Sequence, residues 1–282
     1  MIRQPVLCIF LGVSLALGAA AGVAQRAQPS RLGAAQRDAL KAAITAPTRT
    51  PANVVRDRYR HPYETLAFFG VRPSETVVEI WPGGGWYTEI LAPYLARGGG
   101  TYYAVGMGPN GLNGTRRQMS ANEALYGRIR TAAFPAWEAS EARVPDGSAD
   151  VVLTFRNVHN WVSGYQRNSR PYAEEAFRQM YAMLRPGGTL GVVDHRLPET
   201  ADSGRERTSG YLKVSTVRRL AEAAGFHFAG ASEVNANPRD TADWPDGVWT
   251  LPPTYRLGDR DRARYAAIGE SDRMTLRFVK PR

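Results

Sequence analysis

Val77-Val78-Glu79-Ile80-Trp81-Pro82-Gly83-Gly84-Gly85-Trp86 is the stretch that decides how this chain folds. An apolar run ends around an acid and breaks into a glycine turn. An apolar-periodic segment follows, from Trp86 through Ile90 and Leu91 to Tyr94 and Leu95. That order reads as a buried parallel strand, a tight turn and a helix. A turn of this kind presents unpaired backbone N–H groups at a helix N-terminus, a seat for a carboxylate or phosphate.

The alternation continues outward from there. Upstream, Pro62 fits the first turn of a helix running to Phe69 and stopped by Gly70. Downstream, strands are expected at Thr101–Val105, Ala149–Phe155, Thr189–Asp194, Phe226–Val234 and Met274–Val279. Helices are expected at Asn122–Ala132, Tyr172–Leu184 and Val214–Ala224, with a turn at Arg185-Pro186-Gly187-Gly188. Strands alternating with helices of this length predict an α/β layer with a mostly parallel sheet. Two stretches fall outside the alternation, 195–210 and 235–272. Long irregular segments in a compact domain are usually functional lids or insertions, and Trp244 and Trp249 argue against disorder in the second.

Composition narrows the partners. The net charge is +10, carried almost wholly by arginine, since Lys41, Lys213 and Lys280 are the only lysines. The arginines are scattered rather than gathered into a stripe with interleaved aromatics, so no nucleic-acid partner is expected. Arg3, the apolar run Val6–Leu17 and the small residues Gly18–Ala24 read as a Sec-type signal peptide over 1–24. This predicts a periplasmic or secreted protein with no stable membrane anchor after cleavage. Cys8 is the only cysteine and would leave with that segment. A linker with one short helix, around Ala35–Ile44, occupies 25–52, and one domain follows over 53–282 with 235–272 as its insertion.

Ligands of open α/β sheets bind beyond the carboxyl ends of the strands. The strand ends here carry Glu79, Trp81 and Gly83–Gly85, then Gly106 and Met107, then Arg156, Asn157, His159 and Trp161, then Asp194, His195 and Arg196. His159 and His195 are the candidate general bases, because histidine titrates near neutrality. Each equally fits a hydrogen-bonded strand-end histidine, and Asp194-His195-Arg196 equally fits a salt-bridged corner. No two histidines share metal-ligand spacing on a helix and HExxH is absent, so no metal site is expected. Neither a G-x-S-x-G elbow nor a G-K-[ST] phosphate loop is present.

The order E-I-W-P-G-G-G, V-P-D-G-S-A-D-V-V-L-T-F-R-N-V, M-L-R-P-G-G-T-L-G-V-V-D and L-A-E-A-A-G-F resembles class I S-adenosylmethionine-dependent methyltransferases. The R-N-V segment is similar to the C-methyltransferases of quinone biosynthesis. The whole E-I-W-P-G-G-G-W-Y-T-E-I-L string resembles a group of methyltransferases with export signals. The resemblance covers roughly Glu64 to Val279 and implies a Rossmann-like seven-stranded sheet between helix layers, its last strand antiparallel. It implies S-adenosylmethionine as cofactor and methyl transfer to a small-molecule acceptor. It makes Glu79 the acid that organises the turn around the amino-acid end of the cofactor, and Gly83 and Gly85 two of the three motif glycines, with Gly84 between them. It also sets Trp137 and Glu138 near the adenine and Asn157 beside the reactive methyl. Trp81 and Gly106 complete the expected cofactor set. Trp81 stands where the first motif glycine usually falls, and Pro82 should push it toward extended backbone. The second strand ends Ala104-Val105-Gly106-Met107-Gly108, without the usual ribose-binding acid. Losing that charge-assisted contact costs about 1.5–3 kcal/mol. An exported ligand-binding protein that has lost catalysis is the alternative reading of the same motifs.

Overall fold

The computed structural model describes residues 32–108 and 110–282. The expected signal peptide over 1–24 and the start of the linker lie outside the described residues. Seven strands form one sheet: β1 (Thr76–Ile80), β2 (Thr101–Gly106), β3 (Arg130–Ala133), β4 (Ala149–Phe155), β5 (Leu184–His195), β6 (His227–Ser232) and β7 (Arg273–Val279). Their order is β3-β2-β1-β4-β5-β7-β6. β1 pairs in parallel with both β2 and β4, while β7 runs antiparallel to β5 and β6. This is the Rossmann-like arrangement implied by the motif order.

The pleat of the central strands explains the two layers. Val78 and Ile80 of β1 and Val152 of β4 face the helices Ala173–Met183 and Val214–Ala223 through Phe177, Met180 and Val217. Val77, Val151 and Leu153 face the opposite way, toward the helices Ala34–Ile44, Pro62–Phe69 and Thr88–Gly98. Strands buried on both faces read as continuous apolar runs rather than alternating ones, which is why β1 and β4 were visible in the sequence.

Two expectations are corrected. The helix expected over Asn122–Ala132 is replaced by the helices Asn113–Ala121 and Glu123–Tyr126, followed by β3. β3 is a four-residue edge strand, R-T-A-A, paired only with β2. So short a segment carries no period to read. The expected turn at Arg185–Gly188 lies within β5, as a bulged excursion between the pairs Ala149↔Leu184 and Val151↔Thr189.

The two irregular stretches pack on each other. Leu197 of the first, with Tyr211 just after it, forms a small core with Ala242 and Val248 of the second. Asp240 is their common anchor. Its buried carboxylate accepts from Tyr211 Oη at 3.1 and 3.0 Å, Trp244 Nε1 at 2.6 Å, and the amides of Ala242 and Asp272 at 2.9 and 2.8 Å. The insertion is thus an ordered layer with its own 3-10 turn, Gly247–Thr250, and helix, Arg262–Ile268. No helix among the described residues is long and apolar enough to cross a membrane.

Replacing Asp240 by Ala leaves four donors without an acceptor, those of Tyr211 and Ala242 buried. It should destabilise the protein by on the order of 3 kcal/mol. Hydrogen exchange should show 235–272 deprotected while the amides of β1 and β4 stay protected; uniform protection would show that Asp240 does not anchor the layer.

Candidate active site

β1, β4 and β5 end side by side, and β7 starts at the same edge because it runs the other way. Arg273 is the register partner of His195. The chain leaves β1 and β4 by the same device. The amide of Trp81 donates to Val105 O at 2.8 Å and that of Arg156 donates to Val193 O at 2.7 Å, so each extends its ladder by one residue. Each then turns through a left-handed backbone, with φ +50° at Trp81 and +64° at Arg156. The extended conformation expected of Trp81 before Pro82 is therefore not what forms. Trp81 takes a positive φ, at a cost of order 1–3 kcal/mol. Its side chain offsets that cost: the indole N–H donates to Phe134 O at 2.8 Å and the ring meets Trp161 edge-on at 6.0 Å. Trp81 is thus a structural tie between the ends of β1 and β3.

The glycine turn is open on one side. A Cβ at Gly83 or Gly84 would meet nothing within 4 Å, and neither amide makes a hydrogen bond among the described residues. Two free amides in the turn that leads into the helix Thr88–Gly98, with room above them, fit the carboxylate of the amino-acid end of S-adenosylmethionine. The turn's other side is covered. A Cβ at Gly85 would lie 2.2 Å from Gln118 Oε1, and one at Gly114 would lie 2.4 Å from Gly83 O, so the helix Asn113–Ala121 rests on the turn. Gly106 abuts Leu112, whose Cδ2 stands 2.9 Å from where a Cβ would be.

Glu79 lies on the same face of β1 as Val77, beneath the turn rather than above it. Its carboxyl accepts from Tyr102 Oη and, at 3.4 Å, from Thr88 Oγ1. Burial raises its pKa, against the smaller opposing effects of Tyr102, Thr88 and Arg60, to about 7. Glu79 supports the turn from below by tying β1 to β2 and to the helix Thr88–Gly98. Glu138 is exposed, and the amides of Trp137 and Glu138 are both held by Glu141 Oε2. Trp137 is half-buried, with Arg167 4.1 Å over its ring.

Beyond β4 and β5 the expected histidines meet. Asn157 ties this region to β1, its Nδ2 donating to Ile80 O at 2.8 Å and to Thr154 Oγ1 at 3.2 Å. Asp194 is fully buried. It accepts from the ring Nδ1–H of His159 at 2.8 Å, from the His159 amide at 3.2 Å and from the His195 amide at 2.8 Å. A carboxylate can only accept, so the proton of His159 is assigned to Nδ1, leaving Nε2 as a base. The rings of His159 and His195 lie 5.1 Å apart. Burial, then His159, Arg273, Arg156 and Arg60, hold His195 well below its ordinary pKa, so it is neutral. Its Nδ1 sits 2.5 Å from Ser271 Oγ. Trp249 of the insertion faces His159 edge-on at 6.3 Å.

Sequence reasoning did not expect a metal site, yet the donor atoms of His159, Asp194 and His195 lie within 4.8 Å of one another. Helical spacing could not show this, because the residues come from two strand ends. The donors are engaged: Asp194 with His159, and His195 with Ser271. That is the pattern of an oriented acid–base dyad. Arg156 was among the strand-end candidates, whereas Arg60 and Arg273, which also act on His195, were missed. Arg156 makes no ion pair among the described residues, and desolvation followed by the charge of Arg273 pushes its pKa down to about 10.

Residues 78–192 match the family model described as the methyltransferase domain. The arsenite methyltransferase of Halobacterium salinarum is 24% identical over 188 residues, which cover 63% of this chain; the chain spans 44% of that relative's length. A S-adenosylmethionine-dependent methyltransferase from Aquifex aeolicus superposes with a TM-score of 0.51 at 14% identity, covering 86% of this chain and 97% of the other. The phosphoethanolamine N-methyltransferase 2 of Haemonchus contortus, in complex with phosphomonomethylethanolamine and S-adenosylhomocysteine, gives 0.50 at 17% identity, covering 87% of this chain and 57% of the other. These structural likenesses show the shared fold.

Glu79 gives the domain a pH signature. In the unfolded chain it ionises near its ordinary 4.5, whereas in the folded protein it holds its proton to about 7. A raised carboxyl pKa means the folded state binds the extra proton across that window, so stability falls as pH rises from 4.5 to 7 and then levels. The loss is on the order of 3 kcal/mol. Glu79→Gln, which still accepts from Tyr102, should flatten this part of the profile and raise the melting temperature at pH 8. An unchanged profile in thermal unfolding between pH 5 and 8 would refute the assignment.

Proposed function

We propose that this domain transfers the methyl group of S-adenosylmethionine to a small-molecule acceptor, with Asp194 and His159 removing the acceptor's proton. The observation that carries this reading is the buried Asp194–His159 pair, at 2.8 Å, beyond the carboxyl ends of the strands that carry the glycine turn. When bound, S-adenosylmethionine supplies an electrophilic sulfonium methyl, the sulfur keeping the bonding pair as the new bond to the acceptor forms.

The protein's part is to hold and to deprotonate. The amides of Gly83 and Gly84 would hold the cofactor's carboxylate. Trp137 offers a flat half-buried ring on the β3 side of the same edge for its base. Asn157 keeps the ends of β1 and β4 in fixed relation. His159 Nε2 takes the proton that the acceptor loses, and Asp194, committed to Nδ1–H, stabilises the imidazolium that results. Neutral His195 and Ser271 close the pocket beside it without adding charge. Positioning supplies the larger share of the acceleration in such alignment chemistry; a general base contributes about 10²–10⁴-fold. The small size of the acceptor is supported by the relatives whose names specify arsenite and phosphomonomethylethanolamine.

A second reading is favoured by the β2 end. With Gly106 and Met107 in place of an acid and the helix Asn113–Ala121 resting on the turn, the same fold serves as a ligand-binding protein without turnover. The two readings part in one experiment on the full chain. S-adenosylhomocysteine at millimolar concentration should raise the melting temperature, and label from methyl-labelled S-adenosylmethionine should enter small molecules of a cell extract. His159→Asn and Asp194→Asn should keep the thermal shift and lose label transfer by 10²–10⁴-fold. A shift with no transfer in the wild type selects the binding reading; no shift at all overturns both as cofactor readings.

A further inference from the structure

Between the N-terminal segment and the insertion lies a cleft of about 590 Å³, lined among others by Arg58, His61, Asn235, Arg239, Glu270 and Ser271. One residue links it to the strand-end histidines: Ser271, which lines it, is the hydrogen-bond partner of His195 Nδ1.

Its charge is unbalanced. Glu270 is the only acid in the lining, and it is already over-compensated by arginines from two directions. Arg56 Nε donates to it at 2.6 Å and Arg60 Nε at 3.4 Å from the N-terminal segment, and Arg273 Nη2 donates from the start of β7. Burial alone would raise the Glu270 carboxyl; these three guanidiniums outweigh burial and hold it down to about 2. Three cations on one anion leave a net +2 behind the wall, where low dielectric lets the field persist. On the rim, Arg58 and Arg239 are exposed and make no ion pair among the described residues.

The wall also holds unused hydrogen-bonding capacity. Asn235 is 3% exposed. Its amide nitrogen is engaged with Thr65 Oγ1 at 3.0 Å and Thr275 Oγ1 at 2.9 Å, yet its Oδ1 has no partner; neither has His61 Nδ1. A buried acceptor left unsatisfied costs about 1–3 kcal/mol, and a ligand donor removes that cost.

The geometry points to a binding site for a small organic anion, a carboxylate or phosphate with a hydroxyl or amine beside it. The anionic end faces Arg58 and Arg239 under the field of the buried arginines, and the neighbouring donor meets Asn235 Oδ1. Resting on the methyl-transfer reading above, we assign this anion as the far end of the methyl acceptor, which the shared Ser271 wall then brings toward His159.

The test is calorimetric titration and thermal unfolding of the full chain with inorganic phosphate, malate, succinate and the neutral succinamide, at ionic strength fixed with sodium chloride. Phosphate and malate should bind and stabilise, succinate should bind more weakly than malate for want of the hydroxyl, and succinamide should not bind. The double variant Arg58→Gln/Arg239→Gln, both exposed and outside the Glu270 cluster, should weaken malate at least tenfold with an unchanged circular dichroism spectrum. Arg117→Gln, on the helix Asn113–Ala121, should bind as the wild type does. No anion binding above the chloride control, or equal binding by the double variant, overturns the site. A parallel titration with S-adenosylhomocysteine separates the premises: cofactor binding without anion binding removes this site and leaves methyl transfer standing. Anion binding without cofactor binding upholds the site and removes its assignment to a methyl acceptor.

Discussion

A carboxylate with no access to water, at the end of β5, is the constraint around which the functional edge is arranged. An isolated buried charge is too costly to persist, so every oxygen of Asp194 must find donors. It finds them in one residue of its own strand and one from the helix after β4, the amide of His195 and the amide and ring of His159. Meeting that demand orients the imidazole, chooses its tautomer and locks the ends of β4 and β5 together. The lowered pKa of His195 follows from the same enclosure, since a charge on its ring would be buried among Arg273, Arg156 and Arg60.

The same rule repeats at Asp240, Glu270 and Glu79, with a different solution each time. Asp240 gathers neutral donors and so joins two loops into a layer. Glu270 gathers three arginines and so stays ionised. Glu79 has only two hydroxyls and keeps its proton to about 7. Four buried carboxyls thus divide into an orienter, an anchor, a charge hub and a neutral strut according to the donors within reach.

How much of this could be read from the sequence follows the range of the interactions. β1, the glycine turn and β4 were legible because their signals are local: an apolar run, a glycine cluster, a strand of seven residues. β3 was not, because four residues paired on one side have no period. The left-handed Trp81 was not, because the local rule set by Pro82 is overridden by the ladder bond to Val105 and the indole bond to Phe134, 53 residues away. His159 and His195 were legible as strand-end candidates, but their coupling through Asp194 needs β4 and β5 in register. The arginine cluster was the least legible. Arg56 and Arg60 meet Glu270 across more than 200 residues only because β7 runs antiparallel and returns its first residues to the carboxyl edge.

That division of labour bears on the missing ribose acid. In a site where the motif carboxyl is spent beneath the turn and the strand after it ends in glycine, no ionised carboxylate among the described residues stands at the turn to meet a ligand. What the edge offers outward is donors: two free glycine amides on one side and unpaired guanidiniums on the other. Its acids are committed inward, to tautomer choice, layer anchoring and charge balance. On the proposed reading, such a site would hold both of its ligands by their negative ends, with Nε2 of His159 as the base between them.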